Sequence, residues 1–316
     1  MPNLKVLVAT IPGMIEGADL DVIRKKAQVQ YYEADNITQS GLADMCAGYD
    51  VLMLNYDIVK HLDTNFYTHP NVRSLKSIST DITGMDWASP SEAAKHGVIL
   101  QNIPHYSTES VAETILCEIL LHSRQRLLEF KDKMEKRPVE GRQGINLKGR
   151  TAGVLGYGSI GSRVSALLQA AGMNVKIWNR SRRRDVKTVS MEDIFETAEV
   201  ICLTMATELE GPSSNRDLIG GALLDRCSKA IIVNLAGPHL VNTHAMISAL
   251  NTGRVAGYSV EISPELEQSA LAKMDQVHLA PHNAWKSPES LENLKNIWIS
   301  NTLSALKGRP ENIFKV

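Results

Sequence analysis

Short apolar runs alternate with segments of helical periodicity along almost the whole chain. In the first third, residues 5–9, 51–54, 75–79 and 98–100 are apolar runs of strand length, while 21–27, 38–47 and 91–96 carry apolar residues at helical spacing. Such alternation predicts a parallel sheet covered by helices. Gln101-Asn102-Ile103-Pro104 interrupts it. A long amphipathic helix is expected from Thr108 to about Lys136, with Ser107 or Thr108 as its N-cap. Residues 136–148, with Pro138, Gly141 and Gly144, read as a polar excursion. The alternation then resumes, with strands at 151–155, 174–178, 200–203, 230–233, 255–258 and 277–279 and helices at 162–171, near 217–224 and at 243–250. A final helix runs from Pro288 to about Leu306 and is stopped by Gly308-Arg309-Pro310.

One stretch carries chemistry as well as structure. Residues 151–155 form an apolar run bounded by glycine, followed by Gly156-Tyr157-Gly158-Ser159-Ile160-Gly161, a helical segment and a second strand. The first glycine permits a tight turn, the second lets backbone approach a pyrophosphate, and the third allows close packing of helix on strand. The helix that follows points its unbonded N–H groups and positive dipole end at the turn, which favours an anion. Strand, turn, helix and strand in this order predict dinucleotide binding. The second strand ends at Asn179-Arg180-Ser181-Arg182, where a carboxylate would otherwise hold the ribose 2′-hydroxyl of NAD. Asn179 repels no 2′-phosphate, Arg180 and Arg182 neutralise one, and Ser181 donates to it, so NADP(H) is expected over NAD(H).

The fingerprint sits mid-chain. A nucleotide-binding Rossmann domain, residues 102–284, is therefore expected as an insertion into a second doubly wound, flavodoxin-like domain of residues 1–101 and 285–316. The 316 residues suffice for two such cores, and no repeat or low-complexity tract is present. A formal net charge of −1 leaves no basic field for nucleic acid or an anionic membrane, and 5% aromatic residues argue further against base stacking. No apolar segment reaches membrane-spanning length. Cys46, Cys117, Cys202 and Cys227 form no C-x-x-C pair and no zinc site, and Cys117 and Cys202 read as core residues of a reduced compartment. The chain enters a strand near Leu4 without a signal peptide, so the cytoplasm is expected.

Five segments together resemble the D-isomer-specific 2-hydroxyacid dehydrogenases, nearest the glycerate dehydrogenase (hydroxypyruvate reductase) branch. They are the run from Pro104 to Glu113, the fingerprint, Val233-Asn234-Leu235-Ala236, Gly253-Arg254-Val255-Ala256-Gly257, and Ala280-Pro281-His282-Asn283-Ala284-Trp285. The resemblance spans roughly residues 70–316. It implies homodimers, a hydride transfer between NAD(P)H and a 2-oxo acid, and three side chains: an Arg on the substrate carboxylate, a proton-donating His and a Glu that orients the His. It also implies that Thr204, Leu235 and Ala236 face the cofactor and that the Thr83-Gly84 loop positions substrate. His282 matches the family's P-H motif. The Arg position holds Gly237, in Asn234-Leu235-Ala236-Gly237-Pro238-His239, and the Glu position falls on Pro264, with Glu265 beside it and Glu261 as another nearby acid. Thr204-Met205-Ala206 replaces the usual H-x-P.

Three functions are compatible with this pattern. The first is an NADP(H)-dependent oxidoreductase acting on a carbonyl, imine or enone without the α-carboxylate, with His282 as proton donor and Glu265, in competition with Glu261, as its partner. The second is a non-redox or internal-redox enzyme of the eliminase type that uses bound NADP. The third is a nucleotide-binding pseudoenzyme with a regulatory role. The apolar content of residues 108–136 places a homodimer interface there and on the excursion to Lys148.

Overall fold

The structure is a computed structural model, and it describes residues 4–138, 143–207 and 214–314. The chain divides into two units: residues 1–106 with 287–316, and residues 107–286. The crossings lie a few residues beyond the positions near 101 and 285 expected from the sequence.

Unit 1 is built on five parallel strands, β1 (Lys5–Thr10), β2 (Gln28–Glu33), β3 (Val51–Leu54), β4 (Ser77–Thr80) and β5 (Ile99–Gln101). Their order β2-β1-β3-β4-β5 is the flavodoxin-like one. Helices α1 (Asp21–Arg24), α2 (Gln39–Met45), α3 (Thr64–Thr68) and α4 (Pro90–Lys95) connect them. β2 was absent from the sequence expectation because Gln-Val-Gln-Tyr-Tyr-Glu has no apolar run. It is an edge strand with no fully buried residue, so one paired side suffices to hold it. The final helix, Pro288–Leu306, packs back on this unit. Its Trp298 is fully buried and donates from Nε1 to Ser79 O at 2.9 Å.

Unit 2 begins with α5 (Thr108–Ser123) and α6 (Arg126–Met134). The sequence predicted one helix here. The chain breaks at Gln125, which adopts φ +56°, and Ile145 N donates to Ser123 O at 2.7 Å, satisfying a carbonyl that the break exposes. The N-cap is Ser107, without a side-chain capping bond. Residues 139–142 of the expected excursion lie outside the described residues. The sheet that follows contains β6 (Thr151–Leu155), β7 (Asn174–Trp178), β8 (Val200–Leu203), β9 (Ala230–Asn234), β10 (Val255–Glu261) and β11 (Val277–Ala280), all parallel, in the order β11-β10-β9-β8-β6-β7. Thr188 extends it by a single parallel bridge to Ile177. α7 (Ser159–Ala170), α8 (Met191–Thr197), α9 (Gly221–Leu224), α10 (Thr243–Asn251) and α11 (Pro264–Glu267) cover its two faces.

Two further expectations are corrected. The helix placed at 217–224 is only α9, because Asp217 takes φ +54° and Ile219 bridges Val241. Cys117 is exposed on α5, whereas Cys46, Cys202 and Cys227 are buried. The apolar run around Cys117 wraps the helix, so part of it faces outward. Among the described residues no helix is long and apolar enough to cross a membrane.

Candidate functional site

The strand order of unit 2 reverses between β6 and β8, and ligands of open α/β sheets bind beyond the strand ends at such a switch. β6 is short and almost wholly buried, and it delivers Gly156 at φ +101°. A Cβ on Gly156 would lie 2.6 Å from the Met205 backbone, and one on Gly161 would overlap the Gly156 carbonyl oxygen. Both positions therefore require glycine. Gly158, the N-cap of α7, has no atom within 4 Å of where a Cβ would stand. That space is what a pyrophosphate against a helix N-terminus needs. Thr204 Oγ1 donates to Gly156 O at 2.7 Å and fastens the turn to the end of β8.

A cavity of about 470 Å³ opens on this turn, within the range of cofactor and small-molecule sites. Gly156, Tyr157, Gly158 and Thr204 line it together with Asn179, Arg180 and Ser181 from the end of β7. Asn179 Oδ1 accepts from Tyr157 N at 2.8 Å, and its Nδ2 donates to Ser181 O at 2.9 Å. Asn179 thus shapes the loop as well as sparing an anion its repulsion. Arg182 is exposed and does not line the cavity. Arg183 is turned to Asp185 by two hydrogen bonds, 2.9 and 2.7 Å, and lies over the Tyr157 ring. Ser159, Ile160 and Gly161 form the first turn of α7 behind the cavity. Sequence reasoning missed Met205, Ser214 and Asn215, which also line it. Asn215 Nδ2 donates to Ala206 O at 2.7 Å, a contact between loop positions that no local pattern announces.

Leu235 and Ala236, expected at the cofactor, do not line the cavity. Their apolar side chains pack against the two cores of the unit instead, Leu235 on one face of the sheet and Ala236 on the other. Asn234 bends the segment, donating to Gly237 O at 2.9 Å. Gly237 is buried at φ +153°, and a Cβ there would lie 2.6 Å from Thr207 Cγ2. Backbone and neighbour alike oppose a long side chain at this point.

His282 stands two residues beyond β11. Its Nδ1 is 2.5 Å from Glu261 Oε1, and the imidazole is 71% exposed while the carboxylate is 16% exposed. Glu261 is the last residue of β10 and pairs in register with Ala280, which puts its side chain beside the turn that carries His282. Glu265 is not the partner. It lies in α11 behind its N-cap Ser263, and hydrogen bonds from its own backbone N–H and from Ser263 hold its carboxyl below the usual range. Pro264 starts that helix and carries Glu265 away from β10's end. Thr83 and Gly84 belong to unit 1, in the loop after β4. Thr83 Oγ1 donates to Ile103 O at 3.0 Å, and Gly84 O accepts from Trp87 Nε1 at 3.1 Å. Among the described residues no cluster of His, Cys, Asp and Glu could hold a metal ion.

Known proteins share the family sequence and the fold. The family described as "D-isomer specific 2-hydroxyacid dehydrogenase, NAD binding domain" matches residues 117–284. A D-3-phosphoglycerate dehydrogenase of Dictyostelium discoideum is 32% identical over 240 residues, covering 70% of this chain and 56% of that protein. A glyoxylate reductase of Thermofilum pendens is 28% identical over 253 residues, covering 74% and 73%. The chain thus spans about half the length of the D-3-phosphoglycerate dehydrogenases it resembles. Among solved structures, a glyoxylate reductase from Paecilomyes thermophila superposes with a TM-score of 0.86 at 20% identity over 99% of this chain and 98% of that one. With the glycine cradle, the nucleotide cavity and the matched region all in one unit, the chain belongs to the D-isomer-specific 2-hydroxyacid dehydrogenase family and carries its NAD(P)-binding domain.

Proposed function

We propose that this protein is an NADP(H)-dependent oxidoreductase of its family whose substrate is a small carbonyl, imine or enone without the family's α-carboxylate. The observation that carries the reading is the contrast between two neighbouring strand ends. His282 and Glu261 pair at 2.5 Å, while Gly237 offers no guanidinium and a Cβ there would lie 2.6 Å from Thr207 Cγ2. Bound NADPH would supply a hydride to the substrate carbon. His282 would then give its proton to the substrate oxygen or nitrogen, and the Glu261 carboxylate would stabilise the imidazolium that precedes the transfer. The Asn179, Arg180 and Ser181 wall supports the 2′-phosphate form of the cofactor, with Arg182 as an outer contribution to its charge. The four cysteines without disulfides suit a reducing compartment such as the cytoplasm.

A missing charge-assisted contact costs about 1.5–3 kcal/mol in binding, and a missing transition-state donor about 2.7–4 kcal/mol. Glyoxylate, hydroxypyruvate and pyruvate should accordingly be poor substrates. Steady-state kinetics with NADPH test this, and kcat/KM values of about 10⁴ M⁻¹s⁻¹ or more for any of the three would refute the reading. Failure of every carbonyl and imine tried, with NADP retained through purification, would favour the eliminase or the pseudoenzyme instead.

The assembly we propose is a homodimer through α5, α6 and the excursion to Lys148. Leu120, Phe130 and Met134 are exposed on these helices at 43%, 65% and 68%, an apolar surface that a monomer would leave in water. Light scattering of the intact chain should give twice its 34.8 kDa mass. A monomer at micromolar concentration would exclude the interface.

A further inference from the structure

Behind the Glu261–His282 pair lies a second, buried set of titratable groups. On one face of the unit 2 sheet, β6, β8 and β9 present an apolar layer to α5, made of Ala152, Val154, Cys202 and Val233 among others. Ser259 of β10 pairs in register with Val233 on one side and His278 of β11 on the other. Residues so paired share a face of the sheet. The apolar layer therefore turns polar over β10 and β11, and Glu118 of α5 meets it there.

Glu118 is 5% exposed and Ser259 fully buried. A single oxygen, Glu118 Oε2, accepts from Ser259 Oγ at 2.6 Å and from His278 Nδ1 at 2.7 Å. Burial works against the charge on Glu118, yet the bonds from His278 and Ser259 outweigh it and keep its carboxyl below the usual range. His122, one helical turn on from Glu118, places Nε2 2.8 Å from Ser259 Oγ. The Ser259 proton goes to Glu118, so His122 must donate from Nε2. Burial pushes His122 down to about 4, which keeps it neutral near pH 7. Gly257 clears the space for that ring, because a Cβ there would overlap it.

Leucine would fill this layer without the cost of burying the ionisable side chains of Glu118 and His122 beside the part-exposed His278. The position of the cluster suggests what it is for. Ser259 lies two residues before Glu261 on the same face of β10, about 7 Å along the strand, and His278 stands four residues before His282.

We propose that Glu118 is a positioning residue for the Glu261–His282 pair: by holding Ser259 and His278 through one oxygen, it fixes the two strands that end in that pair. The proposal rests on the reading of His282 as proton donor. The charged and titratable groups that face Glu118 and the pair are Cys117 and His122 on α5, Lys131 on α6, Glu261 on β10, and His278 with His282 on and after β11.

The test is the titration of the His282 ring, followed by NMR in the full chain labelled at histidine and assigned with His282→Gln. Glu261→Gln serves as the reference and should lower the His282 midpoint by about one pH unit. Glu118→Gln should lower it by about half a unit or more. Ser259→Ala keeps the Glu118 charge and removes its tie to β10 together with the acceptor of His122 Nε2, and it should move the midpoint in the same direction by a smaller, measurable amount. If Ser259→Ala and Glu118→Gln lower thermal stability but leave the midpoint where it is, Glu118 is only a structural fastener and the proposal is overturned. Should Glu118→Gln fail to fold, Ser259→Ala decides alone. If Glu261→Gln also leaves the midpoint unmoved, the reading of the Glu261–His282 pair has failed instead.

Discussion

The glycine cradle and the ends of β9, β10 and β11 lie in the same unit and are built in opposite ways. The cradle is made of backbone: Gly156 at φ +101°, Gly161 against the Gly156 carbonyl, and open space at Gly158. Its parts are contiguous from Thr151 to Ser181. The other region takes one side chain from each of several strand ends, Gly237 after β9, Glu261 on β10 and His282 after β11. The first carries the glycines that a dinucleotide needs. In the reading proposed above, the second lacks the guanidinium that the resemblance implies and draws its carboxylate from Glu261. A site made of backbone leaves no room for a side chain at Gly156 or Gly161, so it admits little change there. A site made of separate side chains can lose one and recruit another from a neighbouring register position.

This contrast can be broken at either end. The largest effect is expected at His282, where replacement by Ala should cut kcat on a true substrate by about 10²–10⁴-fold and leave NADP(H) affinity within a few-fold. Turnover that survives His282→Ala would remove the proton donor from the scheme. Glu261→Gln should follow at about tenfold or more, while Glu265→Gln changes kcat by less than about twofold. The reverse ranking would return the role to Glu265. On the cradle side, Gly161→Ala forces a methyl against the Gly156 carbonyl and should cost about 1–3 kcal/mol of stability along with cofactor binding. Thermal melts with and without NADPH measure both losses. The smallest and most selective effect belongs to Arg180→Ala, which should weaken NADP(H) by about tenfold, near 1.4 kcal/mol, and spare NAD(H). Calorimetric titration with both cofactors checks it, and equal weakening of the two would move the 2′-phosphate contact elsewhere.

How far the sequence could be read differs between the same two regions. β7, the final helix and the glycine turn stand where their patterns placed them, because apolar periodicity, a stop signal and positive-φ glycines are local properties. The pattern could not reveal the break at Gln125, since both halves carry helical periodicity and the docking of Ile145 on Ser123 comes from a distant part of the chain. Counting along the chain from Gly253 to Gly257 fell on Pro264, with Glu265 beside it. Pairing across strands pointed to Glu261, because register with Ala280 decides which carboxylate meets His282. Glu118 and His122 left a faint trace as an i, i+4 pair of ionisable residues in the apolar second half of α5, but the residues they meet on β10 and β11 are about 140 and 160 positions away.

By itself, then, the sequence determined the two doubly wound sheets and the dinucleotide cradle, because each follows from residue type at fixed local spacing, whereas the missing Arg at Gly237 came only from the resemblance to the family. The partner of His282, the outward turn of Cys117 and the absence of Leu235 and Ala236 from the cavity wall were decided by tertiary structure. Each depends on which strands lie side by side and in what register, and on which face of a helix finds a core to cover it.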